Sequence, residues 1–193
     1  MISLSLCMIV KNEEAVLERI LKPVSQVMDA ILIADTGSSD RTKEIAEQYT
    51  SQVFDFPWCD DFSAPRNFLL EKVRTDYWMW LDADDVIEVE ELKKLFELKE
   101  KLLAQDVIML NYAISFDENG KPTFIYERER IFKRSKNYVW QGFIHEAIAP
   151  SGNIEHSNIF ISHKKIKAGD PKRNLKIYRE HYKNGENFSP RDL

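Results

Sequence analysis

The stretch Tyr77-Trp78-Met79-Trp80-Leu81-Asp82-Ala83-Asp84-Asp85 is the most informative part of this chain. Its first five residues are apolar or aromatic, too few for a buried helix, and they predict a strand covered on both faces. Three carboxylates follow within four positions. Carboxylates beside a sheet interior are costly unless a cation compensates them, and a hard divalent cation with a diphosphate is one such compensation. The alternative is an acidic start of the next helix, where Asp is favourable anyway.

Length and composition predict one globular domain. The 193 residues are 44% hydrophobic and 11% aromatic, which is enough for a full core. The sequence contains no signal peptide pattern and no apolar run near about 18 residues, so we expect no membrane span. The two cysteines are too few for a disulfide framework, which favours a reduced, cytoplasmic protein.

Charge is unevenly distributed along the chain. The net charge of -5 argues against nucleic acid as a partner. Residues 162–193, however, contain nine Lys or Arg and only four Asp or Glu. This basic tail is either a solvated helix face or a surface attracted to phosphate on a donor, an acceptor or the inner face of a membrane.

Strand and helix patterns alternate through the first half of the chain. We predict strands at 2–10, 30–34, 53–56 and 77–81, and helices at 13–22, after 38–40, from 63 and at 88–103. Pro23 is expected to end the first helix, Ser63 to cap the third, and Asp85 to cap the segment after the acidic cluster. This alternation indicates βαβ units and a mainly parallel central sheet flanked by helices, an α/β fold.

The pattern changes after residue 105. Residues 107–116 and 123–133 look like strands separated by a polar turn, which predicts an antiparallel extension of the sheet. Arg173–Asn184 predicts a last helix that ends at Gly185.

Polar clusters follow each of the first four predicted strands, and the carboxyl ends of parallel strands meet at one edge of a sheet. The clusters are Lys11-Asn12-Glu13-Glu14, Asp35-Thr36-Gly37-Ser38-Ser39-Asp40-Arg41-Thr42, Ser63-Ala64-Pro65-Arg66-Asn67 and Asp82-Ala83-Asp84-Asp85.

Together these motifs resemble the family 2 glycosyltransferases, which have the Rossmann-like A-type (GT-A) fold and use nucleotide-diphosphate sugars. The resemblance covers about residues 1–165, with matching order and spacing. It implies a nucleotide-binding half at 1–105 and an acceptor and metal half at 106–165. The chain is similar to bacterial members in which a tetratricopeptide-like helical region follows, so the basic segment 166–193 is expected to begin such a region.

The resemblance also implies roles for the nucleotide-binding residues. Asp35 would accept the imide N–H of uracil, with a structural turn residue as the alternative. Arg66 would lie near the base or the diphosphate, or else be a surface arginine. Further contacts along the nucleoside would come from Lys11, Asn12 and Glu13.

The acidic cluster would bind ribose and metal. Asp82, followed by Ala83, would bond the ribose hydroxyls. Asp84 would coordinate Mn²⁺ or Mg²⁺, a Lewis acid that stabilises the departing diphosphate. His163 matches the position of a third metal ligand in the family, and His145 is the rival for that role.

The resemblance to inverting GT-A enzymes also implies a catalytic base at about this point in the chain, and the candidate is Glu146 in Trp140-Gln141-Gly142-Phe143-Ile144-His145-Glu146. It would deprotonate the acceptor, and Gly142 would let the backbone pass close to the sugar. A surface glutamate at a strand edge is the alternative.

The sequence therefore predicts a metal-dependent inverting transferase that uses a UDP-sugar and an acceptor that is a glycan, a lipid-linked sugar or a peptide. A sugar-nucleotidyltransferase is one alternative, although Lys11–Glu14 lacks the glycines of a triphosphate loop. A non-catalytic sugar-nucleotide-binding module is the other. Peripheral membrane association and a homodimer are open expectations about partners.

Overall fold

One mixed sheet organises the protein. The computed structural model describes residues 2–166 and 170–185, and within these ranges eight strands form a single sheet in the order β3-β2-β1-β4-β7-β6-β8-β5. The strands are β1 (Leu4–Val10), β2 (Ala30–Asp35), β3 (Val53–Asp55), β4 (Tyr77–Trp80), β5 (Asp85–Val86), β6 (Val107–Phe116), β7 (Pro122–Lys133) and β8 (Ile154–His163).

The sheet has a parallel part and a part with antiparallel pairings. Strands β3, β2, β1 and β4 are all parallel. β7 then pairs antiparallel with both β4 and β6, β8 runs parallel to β6, and the short β5 pairs antiparallel with β8. This arrangement confirms the predicted α/β fold class with its antiparallel extension.

Four helices of the described ranges pack against the sheet: α1 (Leu17–Val24), α2 (Thr42–Glu47), α3 (Ser63–Leu70) and α4 (Val89–Lys101). A further helix, α5 (Arg173–Lys183), follows the last strand. No helix in the described ranges combines the length and the apolar character that crossing a membrane requires.

Strand β4 is buried on both faces, as its sequence predicts. Tyr77 and Met79 belong to the larger hydrophobic cluster, while Trp78 and Trp80 belong to a second cluster. The alternation follows from the two-residue period of a strand. Because burying a large apolar side chain contributes roughly 1.5–3 kcal/mol, β4 is fixed firmly at the centre of the sheet.

Two helix ends differ from the sequence prediction. Helix α1 runs through Pro23 and ends one residue later, since a proline so near the end removes few helical hydrogen bonds. Helix α3 begins at Ser63, but the carboxylate of Asp61 accepts the Ser63 and Ala64 N–H groups at 2.7 and 3.2 Å. The Ser63 hydroxyl is therefore available to donate to the Gly142 carbonyl, which connects α3 to the loop before Glu146.

Candidate active site

The loops after β1 and β2 form one hydrogen-bonded unit at the carboxyl edge of the parallel strands. The Asn12 N–H donates to the Ser38 hydroxyl at 2.9 Å, and the Asn12 side chain accepts the Ser39 N–H at 2.8 Å. The Glu13 N–H donates to the Thr42 hydroxyl at 2.6 Å. Asn12 has a φ of 55°, a left-handed conformation that Asn tolerates better than most residues. The first two predicted clusters thus lie together.

Asp35 is the last residue of β2, and its side chain is buried and fixed. Its carboxylate accepts the Ser38 N–H at 3.0 Å and also the Ser38 hydroxyl. Lys11, at the end of β1, is exposed at the same edge. Ser38 thus orients the Asp35 carboxylate, and the contact of Asp35 with uracil stays a prediction.

The turn after β4 separates its acidic residues into different environments. Ala83 packs into the hydrophobic core, whereas Asp82 and Asp84 are only partly buried. Asp85 is fully buried and its carboxylate accepts the Asp82 N–H at 3.0 Å. The expectation that Asp85 caps the next segment is therefore wrong, because its carboxylate bonds back into the turn.

The pairing of β5 with β8 places His163 directly opposite Asp85. Its Nδ1 lies 3.3 Å from an Asp84 carboxylate oxygen and 3.5 Å from one of Asp85. The ligand atoms of these three residues all lie within 4.8 Å of one another. The two carboxylates suit Mn²⁺ or Mg²⁺, and the imidazole nitrogen favours Mn²⁺ of the two, so the chemistry of the cluster fits the predicted divalent metal. His145 is exposed and outside this cluster.

The charges of this cluster shift the pKa values of its members. Hydrogen bonding to Asp85 and the negative charges of Asp84, Asp85 and Asp82 raise the pKa of His163. Burial, together with the charges of Asp82 and Asp85, raises the pKa of Asp84. The raised pKa of His163 reflects the carboxylates around it, whereas that of Asp84 reflects mainly its burial, and a bound cation would favour the charged form of Asp84.

A buried ion pair beneath the cluster fixes Asp85. The Arg130 guanidinium lies 3.1 Å from the Asp85 carboxylate, and both side chains are completely buried. Tyr112 donates its hydroxyl to Asp85 at 2.9 Å, and burial raises the pKa of Tyr112 so that this proton is retained. Arg130 also lies over the rings of Trp80 and Tyr112, at 3.7 and 4.3 Å from their centroids.

Arg130 and Tyr112 were not identified from the sequence. Arg130 ends the alternating segment Glu127-Arg128-Glu129-Arg130, which is typical of a solvated strand. Strand β7 pairs with β4, and this pairing buries residues 129–132 of β7 beneath the acidic turn.

We expect Arg130→Met to reduce the free energy of unfolding by about 3–5 kcal/mol, because it leaves the Asp85 carboxylate buried without its counter-ion. Urea unfolding at neutral pH measures this loss.

Lys93→Met is the matched control, since it removes a cation from the exposed Lys93–Glu90 pair at 2.8 Å. We expect Lys93→Met to reduce the free energy of unfolding by less than about 1 kcal/mol. Equal losses in the two variants would contradict the structural role of the buried pair.

Arg66 joins the acidic turn to the Glu146 loop. Its Nε donates to a Glu146 carboxylate oxygen and its Nη2 to one of Asp82, both at 2.9 Å. The guanidinium is buried and lies over the rings of Trp80 and Trp140. Burial alone would raise the pKa of Asp82, but the charges of Arg66 and Arg130 outweigh it and lower that pKa. Arg66 is thus a bridge between two carboxylates and not a surface arginine.

The loop that carries Glu146 has a constrained backbone. Gly142 and His145 have φ values of 94° and 54°, and the loop closes through two 3.0 Å hydrogen bonds between the Gln141 and Ala147 backbones. The Glu146 side chain is only 14% exposed. Glu146 therefore lies in a loop beside the predicted donor residues, not at the edge of a strand.

A second set of contacts connects this loop to α3. The Asn67 side chain donates to the Trp140 carbonyl at 3.0 Å and accepts the Trp140 N–H at 2.9 Å. Arg66 and Asn67 are neighbours in the sequence, so α3 contacts the loop at both Trp140 and Glu146.

Comparison with known proteins identifies the family. The sequence profile described as Glycosyl transferase family 2 matches residues 5–153. The chain belongs to glycosyl transferase family 2. The predicted resemblance is thereby confirmed, and this family 2 domain includes every predicted nucleotide-binding residue together with Glu146.

A curated relative has a similar sequence. A TPR repeat-containing protein of Synechococcus elongatus is 32% identical over 152 residues, which cover 78% of this chain and 36% of that protein. The chain therefore spans little more than a third of this relative's length.

Solved structures share the fold of this family 2 domain at low sequence identity. S. aureus TarS 1-349 in complex with UDP-GlcNAc has a TM-score of 0.65 at 14% identity, covering 86% of this chain and 60% of that one. Glucosyl-3-phosphoglycerate synthase from Mycobacterium tuberculosis, in complex with Mn²⁺ and UDP-glucose, has a TM-score of 0.61 at 14% identity. That match covers 97% of this chain and 81% of the synthase chain.

Proposed function

We propose that this glycosyltransferase is metal-dependent and inverting, and that it moves a sugar from a UDP-sugar to an acceptor nucleophile. The observation that carries the proposal is the convergence of Asp84, Asp85 and His163 beside Asp82, which Arg66 joins to Glu146. The candidate metal ligands and the candidate base thus lie on two sides of one arginine.

The proposed donor is a uridine nucleotide sugar. Asp35 would accept the uracil imide N–H, Asp82 would bond the ribose, and the loop containing Lys11, Asn12 and Glu13 would lie along the nucleoside. The complexes of the two structural neighbours with UDP-GlcNAc and UDP-glucose support this choice of nucleotide.

Asp84 and His163 would bind Mn²⁺ or Mg²⁺, with Asp85 oriented beside them by Arg130. A bound ion supplies Lewis-acid stabilisation of the diphosphate leaving group. Glucosyl-3-phosphoglycerate synthase from Mycobacterium tuberculosis, solved with Mn²⁺ and UDP-glucose and also with Mg²⁺ and UDP, supports a divalent ion in this role.

In the proposed transfer, the acceptor oxygen attacks the anomeric carbon from the side opposite the diphosphate. A new carbon–oxygen bond forms as the bond to the diphosphate oxygen breaks, which inverts the configuration. Glu146 takes the acceptor proton as the bond forms. Arg66, by bonding both Glu146 and Asp82, would keep the base at a fixed position relative to the donor.

The acceptor remains a glycan, a lipid-linked sugar or a peptide in this proposal. The relative from Synechococcus is named for TPR repeats, and a tetratricopeptide-like region after residue 166 stays a prediction for this protein.

Nucleotide selectivity tests the proposed donor. We expect UDP with Mn²⁺ to raise the melting temperature, because a ligand that binds only the folded state at 100 times its Kd stabilises by about 2.7 kcal/mol. CDP should stabilise much less, since cytosine has no imide N–H to donate to Asp35. Asp35→Ala should reduce the preference for UDP over CDP by roughly tenfold, about 1.4 kcal/mol.

Ser38→Ala is the matched control, because it removes the hydroxyl that orients Asp35 but keeps the carboxylate. It should retain most of the preference for UDP. An equal loss of affinity for all nucleotides in Asp35→Ala would mean that Asp35 has only a structural role, and no stabilisation by any nucleotide would refute the proposed donor.

A further inference from the structure

We infer that helix α5 belongs to the catalytic unit and that His181 is a positioning residue for the loop carrying Glu146. The inference rests on the proposed role of Glu146 as the base. It extends the functional unit beyond residues 1–165 to the basic helix that follows.

Helix α5 is amphipathic and docks through one face. Ile177 and His181 are four residues apart, hence on the same side of the helix, and they are only 1% and 9% exposed. Leu175, on another side, is 49% exposed. A histidine is therefore buried in the contact between a basic helix and the rest of the protein.

His181 contacts the Glu146 loop directly. Its ring stacks on that of Phe143, with 3.9 Å between centroids and 9° between planes. Tyr178, one turn earlier on α5, meets the same Phe143 ring edge-on at 5.6 Å. Phe143 precedes Glu146 by three residues, so α5 holds the loop immediately before the candidate base.

His181 also bonds the segment that leads into α3. Its Nε2 lies 2.8 Å from the Asp60 carbonyl, and because a carbonyl only accepts, Nε2 is the donor. The Phe62 N–H in turn donates to the Phe143 carbonyl at 2.9 Å. Arg173, at the start of α5, lies over the Phe62 ring at 4.8 Å. Helix α5, the segment 60–62 and Phe143 therefore contact one another pairwise.

The Glu146 loop is thus supported from two directions. Arg66 of α3 bonds the Glu146 carboxylate, and α5 packs on Phe143. The loop contains two left-handed residues, Gly142 just before Phe143 and His145 just before Glu146, and neither belongs to a regular helix or strand. A general base must lie within hydrogen-bond distance of its proton, and a shift of about 1 Å can reduce turnover by about 100-fold. Helix α5 limits such shifts on the Phe143 side of the loop, as Arg66 does at Glu146.

His181→Ala tests this inference by two measurements. Amide hydrogen exchange at Gln141 and Ala147, whose N–H groups close the loop, should accelerate at least about tenfold. Sugar transfer to the acceptor from UDP-GlcNAc or UDP-glucose, whichever donor the unaltered protein uses, should fall about 10- to 100-fold. Affinity for UDP with Mn²⁺ should stay within about threefold, because the donor residues lie on other loops.

His181→Phe and Leu175→Ala are the controls. His181→Phe keeps an aromatic ring against Phe143 and should restore most of the turnover, whereas Leu175→Ala changes the exposed side of α5 and should alter neither measurement. If His181→Ala does not fold, Phe143→Ala tests the same contact from the loop.

Unchanged exchange at Gln141 and Ala147, or accelerated exchange with unaltered turnover, would overturn the inference. A failure of the inference about α5 can be told apart from a failure of the proposed function. The latter would appear as normal sugar transfer in Glu146→Gln or as no binding of UDP. Hydrogen exchange needs no substrate, so it reports on α5 in either case.

Discussion

Glu146→Gln is expected to lower sugar transfer by about 10²- to 10⁴-fold, the usual contribution of a general base. Glutamine has nearly the same size and its amide oxygen can still accept the hydrogen bond from the Arg66 Nε. It cannot take a proton at neutral pH. The affinity for UDP should change by less than about threefold, under about 1 kcal/mol, because the predicted donor residues lie on other segments. Initial rates and UDP titration calorimetry separate these two effects.

Glu127→Gln provides the matched control, since Glu127 is exposed and pairs with His156 on the antiparallel part of the sheet. It should leave transfer unaltered. Slow hydrolysis of the donor is expected to persist in Glu146→Gln, because attack by water depends less on a well-placed acceptor. If Glu146→Gln transfers sugar at a near-normal rate, the base lies elsewhere and His145 becomes the next residue to replace.

Asp84→Ala is expected to weaken Mn²⁺-dependent binding of UDP by at least about 100-fold. Replacing residues that only orient metal ligands costs 10- to 100-fold in affinity or activity, and Asp84 is a proposed ligand itself. The raised pKa of Asp84 means that the folded protein disfavours its charged form, so this carboxylate lowers stability at pH values above the ordinary carboxyl range. The melting temperature of the metal-free variant should therefore equal or exceed that of the unaltered protein.

Calorimetry with UDP, in the presence and absence of Mn²⁺, measures the metal-dependent part of the affinity. Glu88→Ala is the control, because it removes a nearby carboxylate from the exposed Glu88–Lys164 pair at 3.1 Å. Metal-dependent affinity that survives in Asp84→Ala would rule out Asp84 as an essential ligand.

Local patterns were sufficient to predict the parallel half of the fold. The apolar run at Tyr77–Leu81, the alternation of strands with helices and the polar clusters after strand ends all depend on neighbours in the sequence. Since parallel strands present their carboxyl ends at one edge, the order of elements alone predicts that Asp35 and the acidic turn lie on the same side of the sheet. The family resemblance followed from the same motifs.

The environment of each site residue could not be predicted in this way. The Arg66 contact with Glu146 joins residues 80 positions apart, and the Arg130 contact with Asp85 joins residues 45 apart. Such pairs depend on the register of β7 against β4 and on the path of an irregular loop. A slip of one residue in a strand would turn Arg130 to the opposite face of the sheet.

The sequence by itself determined the fold class, the family and which segments place carboxylates at the carboxyl edge of the parallel strands. These features arise from periodicity and from residues close together in the chain. Only the tertiary structure decided that Asp85 is buried against Arg130, that Arg66 bridges Asp82 and Glu146, and that α5 packs on Phe143. The physical reason is that burial and ion pairing depend on the surroundings of a side chain, and those surroundings come from distant segments that meet only when the chain folds.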